Sequence, residues 1–196
     1  MAYADFTLEQ AETRLGVVVR PGPRPSFAPS EVPKWLTDQL ERGLLLALMS
    51  EKARSEFIVA PILLAVRESS GHSLTIFSGE RLDVDPARAL VGECDFMLAR
   101  TEAGVPRLQT PLVAVVEAKR NDIPSGLGQC VAQMVAAAAF NEAAGRPLAA
   151  IHGCVTTGED WQFLSLADHA VTLYQPRFYL TDLPGILGIF YALTQA

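Results

Sequence analysis

Lysine is scarce in this chain: Lys34, Lys52 and Lys119 are the only three in 196 residues, and acids outnumber bases by 22 to 16. A formal net charge of −6 and a pI near 5.1 exclude a protein that coats nucleic acid indiscriminately, because phosphate contacts need basic groups. Cysteine is as sparse. Cys94, Cys130 and Cys154 are widely spaced in apolar or strand-like surroundings, which excludes a disulfide framework or a zinc site and reads as buried free thiols. His72, His152 and His169 have no His-x-x-x-His spacing, so no histidine metal site is expected. There is no Walker motif, nucleophile elbow or Cys/His pair, and Gly126-Leu127-Gly128 has Val131 where a dinucleotide fingerprint needs its third glycine. Long apolar runs are missing too. The longest uncharged stretch, 123–141, carries Pro124, Ser125, two glycines and two glutamines, and reads as a buried helix rather than a membrane span. No basic segment followed by an apolar core opens the chain, so cytoplasmic residence without a membrane partner is expected.

What is present suffices for one domain with a full core: 49% hydrophobic residues and a mean hydropathy of +0.21. Residues 1–29 read as an N-terminal arm, an amphipathic stretch from Phe6 to Leu15 followed by a proline-rich loop from Pro21 to Pro29 that separates it from a single domain at 30–196. Ser30 is a candidate cap for a helix with the apolar stripe Trp35, Leu36, Leu40, Leu44 and Leu45. Ser50 is another, for a helix from Glu51 to Arg67 that Pro61 interrupts or kinks. Strand-like runs follow at 74–77, 89–98, 112–119, 148–155, 161–166 and 171–174, and the last helix is placed at 183–193. The apolar end of the chain packs on the core or against a second copy in a homodimer. The order implies an α/β (α+β) fold with a mixed sheet flanked by helices.

Two of these runs end in charge. The first is Gly92-Glu93-Cys94-Asp95-Phe96; the second is Pro111 to Lys119, apolar and β-branched until Glu117-Ala118-Lys119. Strand side chains alternate, so Glu117 and Lys119 share one face, and Glu93 and Asp95 likewise share one. If the two strands pair, Asp95 and Glu117 can grip one hard divalent cation and Lys119 can steady an attacking water. The plainer alternative is a salt-bridged strand edge. Against it stand the apolar context of both strands and the cost of burying charge.

This arrangement resembles the PD-(D/E)XK nuclease superfamily, with Cys94 where the motif name has proline. The resemblance is closest to predicted nucleases and type I restriction subunit N-terminal domains, through Thr156-x-Gly158-x-x-Trp161-x-Phe163. It implies a restriction endonuclease-like fold and Mg²⁺- or Mn²⁺-dependent cleavage of DNA. Asp95, Glu117 and the Ala118 carbonyl would hold the metal, Glu56 on the first core helix would add to that site, Lys119 would orient water, and Gln129 would hold the geometry or a phosphate. Gln133 stands where some branches have tyrosine, and its role stays open. Arg54, Arg81, Arg100, Arg107 and Arg120 are candidates for phosphate contacts. A second hypothesis is a non-catalytic, dimeric module on the same fold that binds a protein or nucleic-acid partner.

Overall fold

The computed structural model describes residues 1–46, 49–101, 104–105 and 107–195. A mixed eight-stranded sheet forms the middle layer, in the α/β (α+β) class expected. Its spatial order is β2 (Leu74–Arg81), β3 (Glu93–Arg100), β4 (Leu112–Ala118), β5 (Ile151–Thr156), β6 (Asp160–Ala167), β7 (Ala170–Gln175) and β1 (Val18–Pro23), with β8 (Phe178–Tyr179) beside β6. β4 and β5 run parallel, as do β1 and β7, and the remaining pairs are antiparallel. A parallel pair cannot be closed by a hairpin, and α5 (Ile123–Ala143) supplies the β4–β5 crossover. α5 is the one helix among the described residues long and apolar enough to cross a membrane, yet 67% of its apolar window is buried inside the protein.

One core lies between the sheet and α5 with α1 (Leu8–Leu15). The other lies beneath α2 (Lys34–Leu44), α4 (Ala60–Ser69) and α6 (Leu183–Gln195). α6 buries Ile186, Ile189 and Phe190 against this chain's own core, with Phe190 edge-on to Phe163 at 4.8 Å. α2 starts at Lys34 behind Pro33 rather than at Ser30, and no side chain caps it. Leu36 and Leu40 are buried as the stripe implied, but Leu44 and Leu45 are 37% and 76% exposed.

The expected break at Pro61 is absorbed without ending the helix. α3 (Glu51–Arg54), capped by Ser50 accepting from Ala53 N–H at 3.0 Å, runs into a π-helical turn Ser55–Val59 and on into α4. Proline has no N–H for the carbonyl four residues back, and the chain widens just before it: Ala60 N–H donates to Ser55 O. The Phe57 carbonyl faces Gly43 of α2, where a Cβ would meet it at 2.5 Å.

Residues 1–29 do not stand apart from the core, contrary to the sequence expectation. Tyr3, Phe6, Ala11, Leu15 and Val17 are buried under α5, and β1 adds to the sheet edge beside β7. Pro21 and Pro23 lie inside β1 because an edge strand has backbone positions that need no ladder donor.

Candidate active site

β4 is buried along its whole length between β3 and β5, and it delivers Glu117 and Lys119 to the α5 side. The expected sharing of a face is met: Lys119 Nζ donates to Glu117 Oε1 at 2.7 Å. Two glutamines of α5, one turn apart, hold this pair by opposite polarities. Gln129 Oε1 accepts from Lys119 Nζ at 3.1 Å, and Gln133 Nε2 donates to Glu117 Oε2 at 2.8 Å. An amide side chain offers both donor and acceptor, so the same residue type serves cation and anion. Gln133 is fully buried and its Oε1 has no partner.

The start of α5 is pressed onto this site. A Cβ at Gly126 would lie 2.7 Å from Val155 Cγ1 and 3.1 Å from Lys119 Cγ, so only glycine lets the helix lie over the lysine stem. The uncharged stretch read as a buried helix is helical from Ile123 onward. Pro124 fits the first turn, where its missing N–H has no helical partner to lose.

Asp95 arrives from β3 by a break in strand regularity. Backbone pairing of β3 with β4 ends at Phe96 opposite Val116, and beyond it Ala118 N–H donates to Asp95 Oδ2 at 2.7 Å. A side-chain carboxylate thus replaces the next rung of the ladder. Cys94 packs in the α5-side core and Phe96 in the opposite one, so the strand turns over at Asp95.

Two acids therefore share a site with one ammonium. Glu117, only 2% exposed, is pushed up to about 7 by burial and then by the Asp95 charge, with Lys119 and Gln133 working against the rise. Burial also raises Asp95, against the Ala118 N–H and Lys119. Burial alone would lower Lys119, but Glu117 first, then Glu51 and Asp95, hold its ammonium above the ordinary value.

A cavity of about 430 Å³ opens beside Asp95 and Ala118, between β2 and the start of the kinked helix. Glu51 and Glu56 both line it. Glu51 bears on the site: its charge acts on Asp95 and Lys119, and its Oε2 accepts from Arg120 N–H at 3.1 Å. Glu56, the helix acid expected to add to a metal site, is half exposed and pairs with Lys52 at 3.8 Å. Sequence reasoning missed Glu51, although its place directly after the Ser50 cap marked it as a first-turn residue.

The arginines divide. Arg54 donates to the Thr157 carbonyl and pairs with Glu159 at 3.1 Å, tying the helix to the Thr156–Phe163 hairpin. Arg81 pairs with Asp83 at 2.9 Å and Arg100 donates to the Thr194 carbonyl. Arg120 is exposed next to the site, and Arg107 is exposed in the β3–β4 connection. Among the described residues no three His, Cys, Asp or Glu side chains form a ready metal cage. No known family model matches the chain, and no curated protein matches it in sequence.

Proposed function

We propose that the chain is a metal-dependent nuclease of PD-(D/E)XK type that hydrolyses phosphodiester bonds in DNA. The observation that carries the reading is the charge imbalance: half-buried Asp95 and buried Glu117 bear on each other's charge, and among the described residues Lys119 is the one ammonium bonded to Glu117. Burying charge without compensation is costly, and such sites cluster where chemistry is done.

The donor set suits a hard cation. Mg²⁺ keeps several waters and is commonly bound by one or two carboxylates plus substrate phosphate, so a cage of three acids is not required. Asp95, Glu117 and the Ala118 carbonyl would hold it, with Glu51 rather than Glu56 as the helix acid nearest in charge. When bound, Mg²⁺ or Mn²⁺ lowers the pKa of coordinated water and offsets charge on the phosphoryl oxygens. Lys119, fixed by Glu117 and Gln129, orients the attacking water or balances the developing charge. Gln133 keeps the Glu117 carboxylate turned toward Lys119. Cytoplasmic residence accompanies this reading.

A non-cleaving module on the same fold is the second reading. It draws on the net charge of −6 and on the engagement of both Glu117 oxygens by neighbouring side chains. Cleavage of linear and circular DNA with Mg²⁺ or Mn²⁺, wild type beside Lys119→Ala, separates the two. The nuclease reading expects cutting that drops about 100-fold or more in the variant. Failure of the wild type to bind either cation or to cut favours the module.

A further inference from the structure

A second cavity of about 540 Å³ adjoins the first, and Glu56, Ala60, Ser78 and Phe96 belong to the walls of both. The two form one trough that changes character along its length. At the Asp95 end it is acidic, with Glu51, Glu56 and Glu93 against Lys52. At the far end it is walled by Trp35, Pro61, Leu64 and Ile76, with Gln39 as an uncharged polar group. Leu64 is 46% exposed, an apolar side chain left open to solvent on a helix that otherwise buries its apolar residues. The Trp35 indole is held in place, its Nε1 donating to Glu68 Oε2 at 2.9 Å.

A phosphate has no cation to meet at that apolar end, whereas a flat uncharged ring fits between the Trp35, Leu64 and Ile76 walls. The Gln39 amide can both give and take hydrogen bonds at a ring edge. Resting on the nuclease reading above, we infer that the trough seats an unpaired nucleobase next to the phosphate handled at Asp95, making single-stranded or end-frayed nucleic acid the substrate class. A base stacked and paired inside a duplex cannot enter such a slot without being extruded. Strand binding draws part of its strength from stacking of bases on aromatic and apolar side chains, which the Trp35 end of the trough supplies.

The test is a fluorescence-anisotropy titration of wild-type protein with Ca²⁺ in place of Mg²⁺, using a labelled oligothymidylate, an abasic strand of equal length and the matching duplex. Binding of oligothymidylate about tenfold or more tighter than the abasic strand is expected, with the duplex no better than the abasic strand. Leu64→Ser, an uncharged change at a side chain 46% exposed, should erase the tenfold advantage of the oligothymidylate over the abasic strand. Equal affinity for both strands, tightest binding of the duplex, no binding at all, or an unaltered advantage in Leu64→Ser overturns the inference. Cleavage assayed separately tells the two readings apart. Lys119-dependent cutting of duplex without a base preference keeps the nuclease and removes the base slot. Leu64-sensitive strand binding without any cutting keeps the slot and removes the nuclease.

Discussion

Glu117 is buried with its proton affinity raised from 4.5 to about 7, by burial first and then by Asp95. The folded protein therefore holds that proton more tightly than the unfolded chain does. The resulting stability is fully present below about 4.5 and is lost as pH rises through about 7. For a side chain 2% exposed the effect is on the order of 2–3 kcal/mol by pH 8. Urea unfolding in EDTA, wild type against Glu117→Gln, should show the variant gaining on the wild type by that amount between pH 4.5 and 8; a constant difference would refute the assignment. On the proposed metal-site reading, Mg²⁺ at pH 8 should restore the wild type alone, since cation and proton would compete for one carboxylate. Gln133→Leu removes the donor to Glu117 Oε2 and should cost about 1–3 kcal/mol at pH 8, measured the same way. The pairing of Glu117 with Lys119 was legible in sequence because strand alternation is a strict geometric rule. The role of Gln133 was not, since which amide atom meets which charge depends on how α5 crosses β4.

Elements explain the other misreading at the site. A helix read from Glu51 to Arg67 with its only disturbance at Pro61 gives no reason to separate Glu51 from Glu56 by their bearing on the site. The π turn at Ser55–Val59 adds a residue per turn and changes the phase of side chains along the rod, and Glu51 acts on Asp95 while Glu56 turns to Lys52. Pro61 was visible as a disturbance, but its resolution by widening needed the neighbouring Gly43 backbone to be seen. The same holds at α5. Its helix was legible from Ile123, but the reason for its glycines was not: Pro124 fits a first turn, and Gly126 is required by contact with Val155 and Lys119. Gly126→Ala should lift the helix or displace the lysine stem, costing about 1–3 kcal/mol in thermal or urea unfolding. On the proposed nuclease reading, cleavage should fall more than stability accounts for, because Lys119 Cγ lies 3.1 Å from the new methyl position. The far end of α5 is tied to β4 by Asn141, which exchanges two 2.8 Å hydrogen bonds with the Leu112 backbone. No spacing rule announced that contact.

At the scale of the whole molecule, the layer order followed from the alternation of strand-like and helical runs, while the place of the first segment did not. Pro21 to Pro29 reads as a break, and a break reads as a boundary; only the position of β1 at the sheet edge shows why prolines are tolerated there. The segment is integral to the α5-side core. Tyr3 and Phe6 are 1% and 3% exposed, the Tyr3 hydroxyl donates to the Leu82 carbonyl, and Gly128 of α5 lies against the backbone of Phe6 and Thr7. Burial of one large apolar side chain contributes about 1.5–3 kcal/mol, and the segment inserts Tyr3, Phe6, Leu15 and Val17 together. That sum is comparable with the total stability of an ordinary domain, about 5–15 kcal/mol. A chain beginning at Arg24 would expose the outer surface of α5 and leave β7 as an unpaired edge. It should therefore lose its cooperative thermal transition and bind a hydrophobic dye, whereas a true arm could be removed with the transition intact. A truncated chain that melts as sharply as the full one would restore the boundary that the prolines suggested. Loss of the transition places the first strand and helix within the same folding unit as the acidic site, so that α5, which carries Gln129 and Gln133, is held from outside by the residues at the start of the chain.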